Sequence, residues 1–208
     1  MVAAGQTLTA VAFVCSLKPT PSPSSSDLLA HELLRELEQY GVHGEVIRAV
    51  DYNIAPGVTE DMDEGDDWPE LRRKMLVADI FIMATPTWRG HMSSVAQRII
   101  ERLNVELSFA DKKGRLKTYG KAAGVVVVGN EDGAHKVAAD LFQGLNDVGF
   151  TIPAAASTYW NGEAMQKVDY KDLKETPAAV KRATRMTASN LAHAAKLLKQ
   201  SGYPGVIV

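Results

Sequence analysis

The sequence predicts an α/β protein: a doubly wound, five-stranded parallel sheet of order 2-1-3-4-5 with helices on both faces. Three observations carry that expectation. The short apolar runs Leu8–Cys15, Asp79–Ala84 and Ala122–Val128 lack strong polar alternation, as strands covered on both faces do. Between them lie segments whose apolar residues recur at spacings of three and four, the pattern of a helix with one buried face. Finally, two loops bearing Pro or Gly, Thr85 to Gly90 and Gly129 to Gly133, each follow an apolar run directly and lead into a helical pattern. In open α/β sheets ligands sit there, beyond the carboxyl ends of the strands.

Taken in order, Leu8–Cys15 reads as the first strand and not as a leader or membrane span. No basic region precedes it, and no apolar run approaches the ~20 residues that a bilayer requires. Leu29, Leu33, Leu37 and Tyr40 mark the first helix, ended by Gly41. Gly44–Val50 is more polar and suits an edge strand, and Trp68–Ala78 is a short helix starting near Asp67 and Pro69. The third strand, Asp79–Ala84, precedes a helix built on Val95, Ile99, Ile100 and Leu103. The fourth, Ala122–Val128, precedes one built on Val137, Leu141, Leu145 and Val148, ended by Gly149. Phe150–Ala154 is the fifth strand, placed at an edge because Pro153 has no N–H to donate. The last helix opens with Thr176 as N-cap and Pro177 in its first turn, then runs through Val180, Leu191 and Leu198. Strands alternating with helices of this length imply right-handed crossovers.

The chain of 208 residues, 46% hydrophobic and 23% charged, is expected to form one domain over 1–208. A formal charge of -2, with bases and acids interspersed, argues against a nucleic-acid partner. The lone cysteine, Cys15, excludes an intrachain disulfide and any cysteine-based metal or iron–sulfur site within one chain, and points to a cytoplasmic location. No metal site is expected: His31, His43 and His193 lack ligand spacing. The acidic cluster Asp61, Asp63, Glu64, Asp66 and Asp67 does not fit a calcium loop and reads as solvated. There is no phosphate-binding Walker motif, no Gly-x-Gly-x-x-Gly and no Gly-x-Ser-x-Gly elbow.

The loops concentrate the chemistry. After the first strand, Ser16 and Lys18, then Ser24, Ser25 and Ser26, bring hydroxyls, a cation and free backbone N–H groups to a helix start, where an anion is favoured. A capped loop with unstructured prolines is the alternative reading. In Thr85-Pro86-Thr87-Trp88-Arg89-Gly90, proline fixes one φ, Gly90 permits close backbone approach and Trp88 offers a flat surface, whether for a ligand ring or as a plug on the core. Gly129-Asn130-Glu131-Asp132-Gly133, followed by Ala134 and His135, reads either as a second ligand wall or as a capped helix start. Three such loops after strands one, three and four would surround one crevice.

With these motifs the chain resembles the flavodoxin-like NAD(P)H-dependent FMN reductases, relatives of the quinone reductases that resemble tryptophan-repressor-binding protein. Thr85 to Ser93 matches the family's Thr/Ser-Pro-x-x-x-Gly-x-x-Ser loop, Gly129 to His135 resembles the loop on the other side of the flavin, and Ser16 with Ser24, Ser25 and Ser26 resembles the phosphate loop. Two departures stand out: Cys15 occupies a position that is often glycine, and Pro19, Pro21 and Pro23 reshape the phosphate loop. The resemblance implies FMN as cofactor, NADPH or NADH as donor, and a quinone, free flavin or similar small molecule as acceptor. It also implies a homodimer or homotetramer, and His135, Tyr159 and Trp160 near the substrate, the last two in a loop after the fifth strand. A flavodoxin-type electron carrier and a flavin-free regulatory module are the rival readings.

Overall fold

The computed structural model describes residues 7–163 and 166–206. Six strands form: β1 (Leu8–Val14), β2 (Val42–Arg48), β3 (Ile80–Trp88), β4 (His91–Met92), β5 (Ala122–Gly129) and β6 (Ser157–Asn161). Five of them are parallel, in the order β2-β1-β3-β5-β6, and β4 is a short antiparallel addition to β3. Counting the parallel strands alone, this is the expected 2-1-3-4-5. The helices are α1 (Ser25–Glu38), α2 (Trp68–Val77), α3 (Ser94–Leu103), α4 (Ala134–Asp147) and α5 (Ala178–Gln200).

Both faces of the sheet are buried, which is why its strands read as unbroken apolar runs. Along β1, Val11 and Phe13 face one core while Leu8, Ala10, Ala12 and Val14 face the other. On the first side Trp68 and Leu71 of α2, Ile99 of α3 and Leu141 of α4 pack on Phe13, Phe81 and Val125. On the second side Leu29, Leu33 and Leu37 of α1 and Leu191 of α5 pack on Val14, Ile82 and Val126. Phe13 and Phe81 meet edge to face at 5.0 Å, a geometry worth about 0.5–1.5 kcal/mol beyond burial alone.

Four expectations are corrected. The fifth strand is Ser157–Asn161 and not Phe150–Ala154, of which Thr151 alone makes a bridge, to Ala122. Pro153 cannot donate to the ladder, and Ala155 at φ 50° turns the chain before pairing resumes. Tyr159 and Trp160 therefore lie within a strand and not in a loop after it. The edge strand β2 runs over Val42–Arg48 and not Gly44–Val50: Val42 is buried opposite Leu8, and Ala49 and Val50 turn into a short 3-10 helix. Thr176 does not cap the last helix: Pro177 takes that position, and the Thr176 hydroxyl donates to Glu32 Oε1 at 2.8 Å.

The fourth correction concerns the acidic loop. The Asp66 carboxylate is 1% exposed, paired at 2.7 Å with the fully buried Arg102 guanidinium, which also donates to Ala55 O at 2.8 Å and Thr59 O at 3.2 Å. Arg72 is likewise buried and bidentate to the buried Glu106, at 2.6 and 3.2 Å, and it reaches Glu60. Two arginines from α2 and α3 thus hold the loop against the domain. A charge run that reads as solvated contains a buried anchor.

Candidate active site

A cleft of about 460 Å³ opens at the carboxyl end of the sheet. Its wall takes Ser16, Lys18, Ser24, Ser25 and Ser26 from the first loop, Pro86, Thr87, Trp88 and Arg89 from the second, and Gly129, Asn130 and Glu131 from the third. Thr85, Gly90, Asp132, Gly133, His135, Tyr159 and Trp160 do not line it. The wall also contains Leu17, Pro23, Val128 and, from the segment after β6, Gln166, Asp169 and Lys171.

At one end, Ser24 in extended conformation is the N-cap of α1, its hydroxyl accepting from Asp27 N at 3.4 Å. The amides of Ser16, Leu17, Ser24, Ser25 and Ser26 make no hydrogen bond to a protein group among the described residues. Unpaired N–H groups at the start of a 14-residue helix, ringed by four serine hydroxyls, suit a phosphate.

The second loop is a strand extension followed by a tight hairpin. Thr87 pairs with Met92 and Trp88 with His91, and the two turn residues, Arg89 at φ 52° and Gly90 at φ 74°, are both left-handed, as a two-residue type I′ turn requires. The Arg89 side chain is thereby placed at the hairpin tip, and Trp88, 54% exposed, stands at the rim of the cleft. Thr85 works from behind. Its Oγ1 accepts from Ser93 N at 3.1 Å, and Ser93, the N-cap of α3, accepts from Ala96 N at 3.1 Å while its hydroxyl donates to Cys15 O at 2.7 Å. One serine thus locks the second loop to the end of β1. Ser93→Ala is expected to cost about 1–2 kcal/mol by urea denaturation, more than an exposed cap, because the buried Cys15 carbonyl loses its bond together with the cap while the backbone bond to Thr85 is kept.

The third loop closes on the second through glycines. A Cβ on Gly129 would stand 2.7 Å from Thr87 Cβ, and one on Gly133, at φ 126°, would stand 3.0 Å from Gly90 Cα. Glu131 Oε1 accepts the Gly90 N–H at 3.3 Å. Thr87 lines the cleft, and its Oγ1 is buried and has no hydrogen-bond partner among the described residues. An unsatisfied buried hydroxyl costs about 1–3 kcal/mol, so the junction of the second and third loops carries an unmet polar group beside the cleft. Asp132 and Gly133 contribute through backbone geometry: Gly133, not Asn130 or Asp132, is the N-cap of α4.

Sequence reasoning missed the segment 166–176, which straps across the mouth of the cleft. Asn130 Nδ2 donates to Asp169 Oδ1 at 2.8 Å, Lys171 N donates to Ser25 Oγ at 3.3 Å, and Tyr170 OH donates to Glu32 Oε2 at 2.5 Å. The Asn130 bond, with Lys171 and Lys18 nearby, holds the Asp169 carboxyl below its usual range, although partial burial opposes this. Burial and then Glu32 push the Tyr170 hydroxyl up. The signal was a single aromatic in a polar run: Tyr170 is buried against Trp160, ring to ring at 5.6 Å. Trp160 therefore props the strap from below. His135 and Tyr159 bond each other, Nε2 to OH at 2.9 Å.

Sheet order, crevice and loop chemistry together define a flavodoxin-like FMN-binding protein. The buried Thr87 hydroxyl and the serine-ringed helix start fit a flavin carrying a terminal phosphate. The chain belongs to the NADPH-dependent FMN reductase family, whose sequence profile matches residues 8–164. It is 30% identical over 198 residues to the 8-demethyl-8-aminoriboflavin-5'-phosphate synthase of Streptomyces davaonensis, covering 90% of this chain and 77% of that protein. The crystal structure of RosB with bound 8-demethyl-8-formylriboflavin-5'-phosphate superposes with a TM-score of 0.85 at 30% identity, over 94% of this chain and 82% of that one. The chain is also 37% identical over 192 residues, 88% of its length, to the divalent metal cation transporter MntH of Mycobacterium bovis, of which it spans only 28%. Among the described residues no helix is long and apolar enough to cross a membrane, and no cluster of three or more His, Cys, Asp or Glu could hold a metal. The chain is a flavin-dependent oxidoreductase with FMN as its cofactor.

Proposed function

We propose that this chain takes electrons from NADPH or NADH and passes them, by way of FMN in the cleft, to a quinone, a free flavin or a similar small acceptor. The observation that carries the reading is the cleft itself: a phosphate-suited helix start at one end, and the unpartnered Thr87 hydroxyl between two glycine-bearing loops at the other. FMN, when bound, supplies the hydride and electron chemistry. Ser16, Ser24, Ser25, Ser26 and Lys18 hold the phosphate. Thr85, Pro86, Thr87, Trp88, Arg89 and Gly90 on one side, and Gly129, Asn130, Glu131, Asp132 and Gly133 on the other, hold or shape the ring site. Arg89 at the hairpin tip supplies a cation for the ring edge or for a nicotinamide phosphate, and the rim beside exposed Trp88 is left for donor and acceptor. His135 and Tyr159, hydrogen-bonded outside the cleft wall, are kept as residues of the acceptor's approach, and Trp160 acts through the strap. A homodimer or homotetramer, located in the cytoplasm, is the expected assembly.

The test is an anaerobic visible spectrum of the protein with one equivalent of FMN, before and after NADPH or NADH. Bleaching of a protein-bound flavin band is expected. A bound band that persists with both donors makes the chain an electron carrier, and absence of bound flavin makes it a regulatory module; either outcome removes the reductase reading. The likeness to the aminoriboflavin phosphate synthase favours a second reading, in which the flavin phosphate is itself the substrate. Mass spectrometry of the flavin released after turnover separates the two: unchanged mass supports the reductase, and loss or replacement of the 8-methyl group supports the second.

A further inference from the structure

The segment from Pro19 to Ser26, Pro-Thr-Pro-Ser-Pro-Ser-Ser-Ser, is too polar and proline-rich to hold a shape by packing, yet it forms part of the cleft wall. Prolines 19, 21 and 23 have no N–H, and among the described residues the turn they make closes one backbone bond of its own, from Ser22 N to Pro19 O at 2.9 Å. The other donors come from outside. Arg48, at the end of β2, has a side chain only 8% exposed and sends Nη1 to three carbonyls of the loop: Ser22 O at 2.6 Å, Pro19 O at 3.1 Å and Lys18 O at 3.5 Å. Its Nη2 pairs with Asp27 Oδ1, in the first turn of α1, at 3.1 Å. Asp51 completes the buttress, its Oδ1 accepting from Thr20 N at 2.9 Å.

These bonds have a direction. Arg48 draws the carbonyls of residues 18, 19 and 22 toward β2, while the amides of Ser16, Leu17, Ser24, Ser25 and Ser26 are left without a protein acceptor among the described residues. A peptide loop has no net charge, so it favours an anion only when its N–H groups, and not its carbonyls, face the anion. Arg48 also neutralises Asp27, whose carboxylate stands one turn from where a phosphate would sit.

Resting on the reading that the first loop holds the FMN phosphate, we infer that Arg48 is the positioning residue that makes this cleft prefer a phosphorylated flavin to an unphosphorylated one. It touches no flavin. It acts by orienting the proline-rich loop, and this accounts for the three prolines where the family's loop often carries a glycine-led turn.

The test measures dissociation constants for FMN and for riboflavin, by quenching of flavin fluorescence, in the parent protein, Arg48→Gln and Arg48→Lys. The parent is expected to bind FMN at least 100-fold more tightly than riboflavin. In Arg48→Gln the FMN constant should rise about 30-fold while the riboflavin constant stays within about threefold, so the selectivity collapses. Arg48→Lys keeps the charge beside Asp27 without a planar fork to span several carbonyls. It should lose most of the same selectivity, which separates loop orientation from plain attraction of charge, and it serves as the reading if Arg48→Gln does not fold. Selectivity preserved in both variants overturns the inference, as does an equal rise in both constants, which marks Arg48 as general scaffold. A parent that binds the two flavins equally overturns the phosphate-loop reading itself.

Discussion

Asp66→Ala is expected to lower stability by about 3–5 kcal/mol, seen as a fall of about 10 °C in Tm, the largest effect of any single change outside the apolar core. The reason is what it leaves behind. Arg102 is fully buried on α3, and Asp66 is its only ion-pair partner among the described residues. The same carboxylate accepts from Trp68 N and Ala55 N at 3.1 Å each and from Met62 N at 3.0 Å, so truncation strands three backbone donors together with a buried guanidinium. Arg102 in turn holds the carbonyls of Ala55 and Thr59, so the loop should detach as a unit.

The same pair predicts a pH dependence. Burial raises the Asp66 pKa, but the backbone N–H groups of Trp68, Ala55 and Met62 and the Arg102 guanidinium outweigh it and hold the carboxyl below its usual range. A carboxyl depressed in the folded state contributes stability above its ordinary pKa, near ~3.9, and loses that contribution as pH falls toward the lower folded value. The gap between parent and Asp66→Asn in urea denaturation should therefore be wide at pH 7 and shrink progressively as pH falls below ~4 toward the folded value. A gap that is the same at both pH values would mean that the charge plays no part.

How much of this was legible in the sequence follows from which forces leave a local trace. Strands β1, β3 and β5 were readable because burial on both faces forces an apolar run, and α1, α3 and α4 because one buried face forces a period. The error at Phe150–Ala154 has the opposite origin. That run is apolar because Phe150 packs beside Phe81, at 5.4 Å, but strand pairing is decided by the N–H that Pro153 lacks and the turn at Ala155. Burial and pairing usually coincide, and here they separate by a few residues.

The candidate site divides in the same way. Thr87, Gly129 and their neighbours were readable because close backbone approach demands particular residue types. Long-range polar bonds left no such mark. Arg48 to the carbonyl of Ser22, Arg102 to Asp66 and Asn130 to Asp169 span from 26 to 39 residues along the chain, and each end alone looks like an ordinary surface residue. The strap was hidden for that reason, and so was the buttress of the phosphate loop.

Gly129→Val is expected to raise the FMN dissociation constant by 100-fold or more, about 2.7 kcal/mol, while the protein stays folded. Gly129 ends β5 with its Cα against Thr87, and an added Cβ would meet Thr87 Cβ at 2.7 Å and Oγ1 at 2.9 Å, distances that side chains do not tolerate. Thr87 cannot retreat, because β3 fixes its backbone on both sides: Pro86 registers with Val128 of β5, and Thr87 itself pairs with Met92. The branched side chain must therefore either push the hairpin outward or displace the Thr87 side chain, and both reshape the wall of the ring site. Fold stability should suffer less, since the clash is at the open end of the sheet and the cores around Phe81 and Ile82 are untouched. Fluorescence titration with FMN checks the affinity and far-UV circular dichroism checks the fold. In Gly90→Ala the added Cβ meets no protein atom within 4 Å, so a loss of affinity there reports the strain of φ 74° or contact with the ligand and not crowding between the two loops. If Gly129→Val binds FMN as the parent does, the ring does not lie between these two loops, and the assignment of the second and third loops falls together.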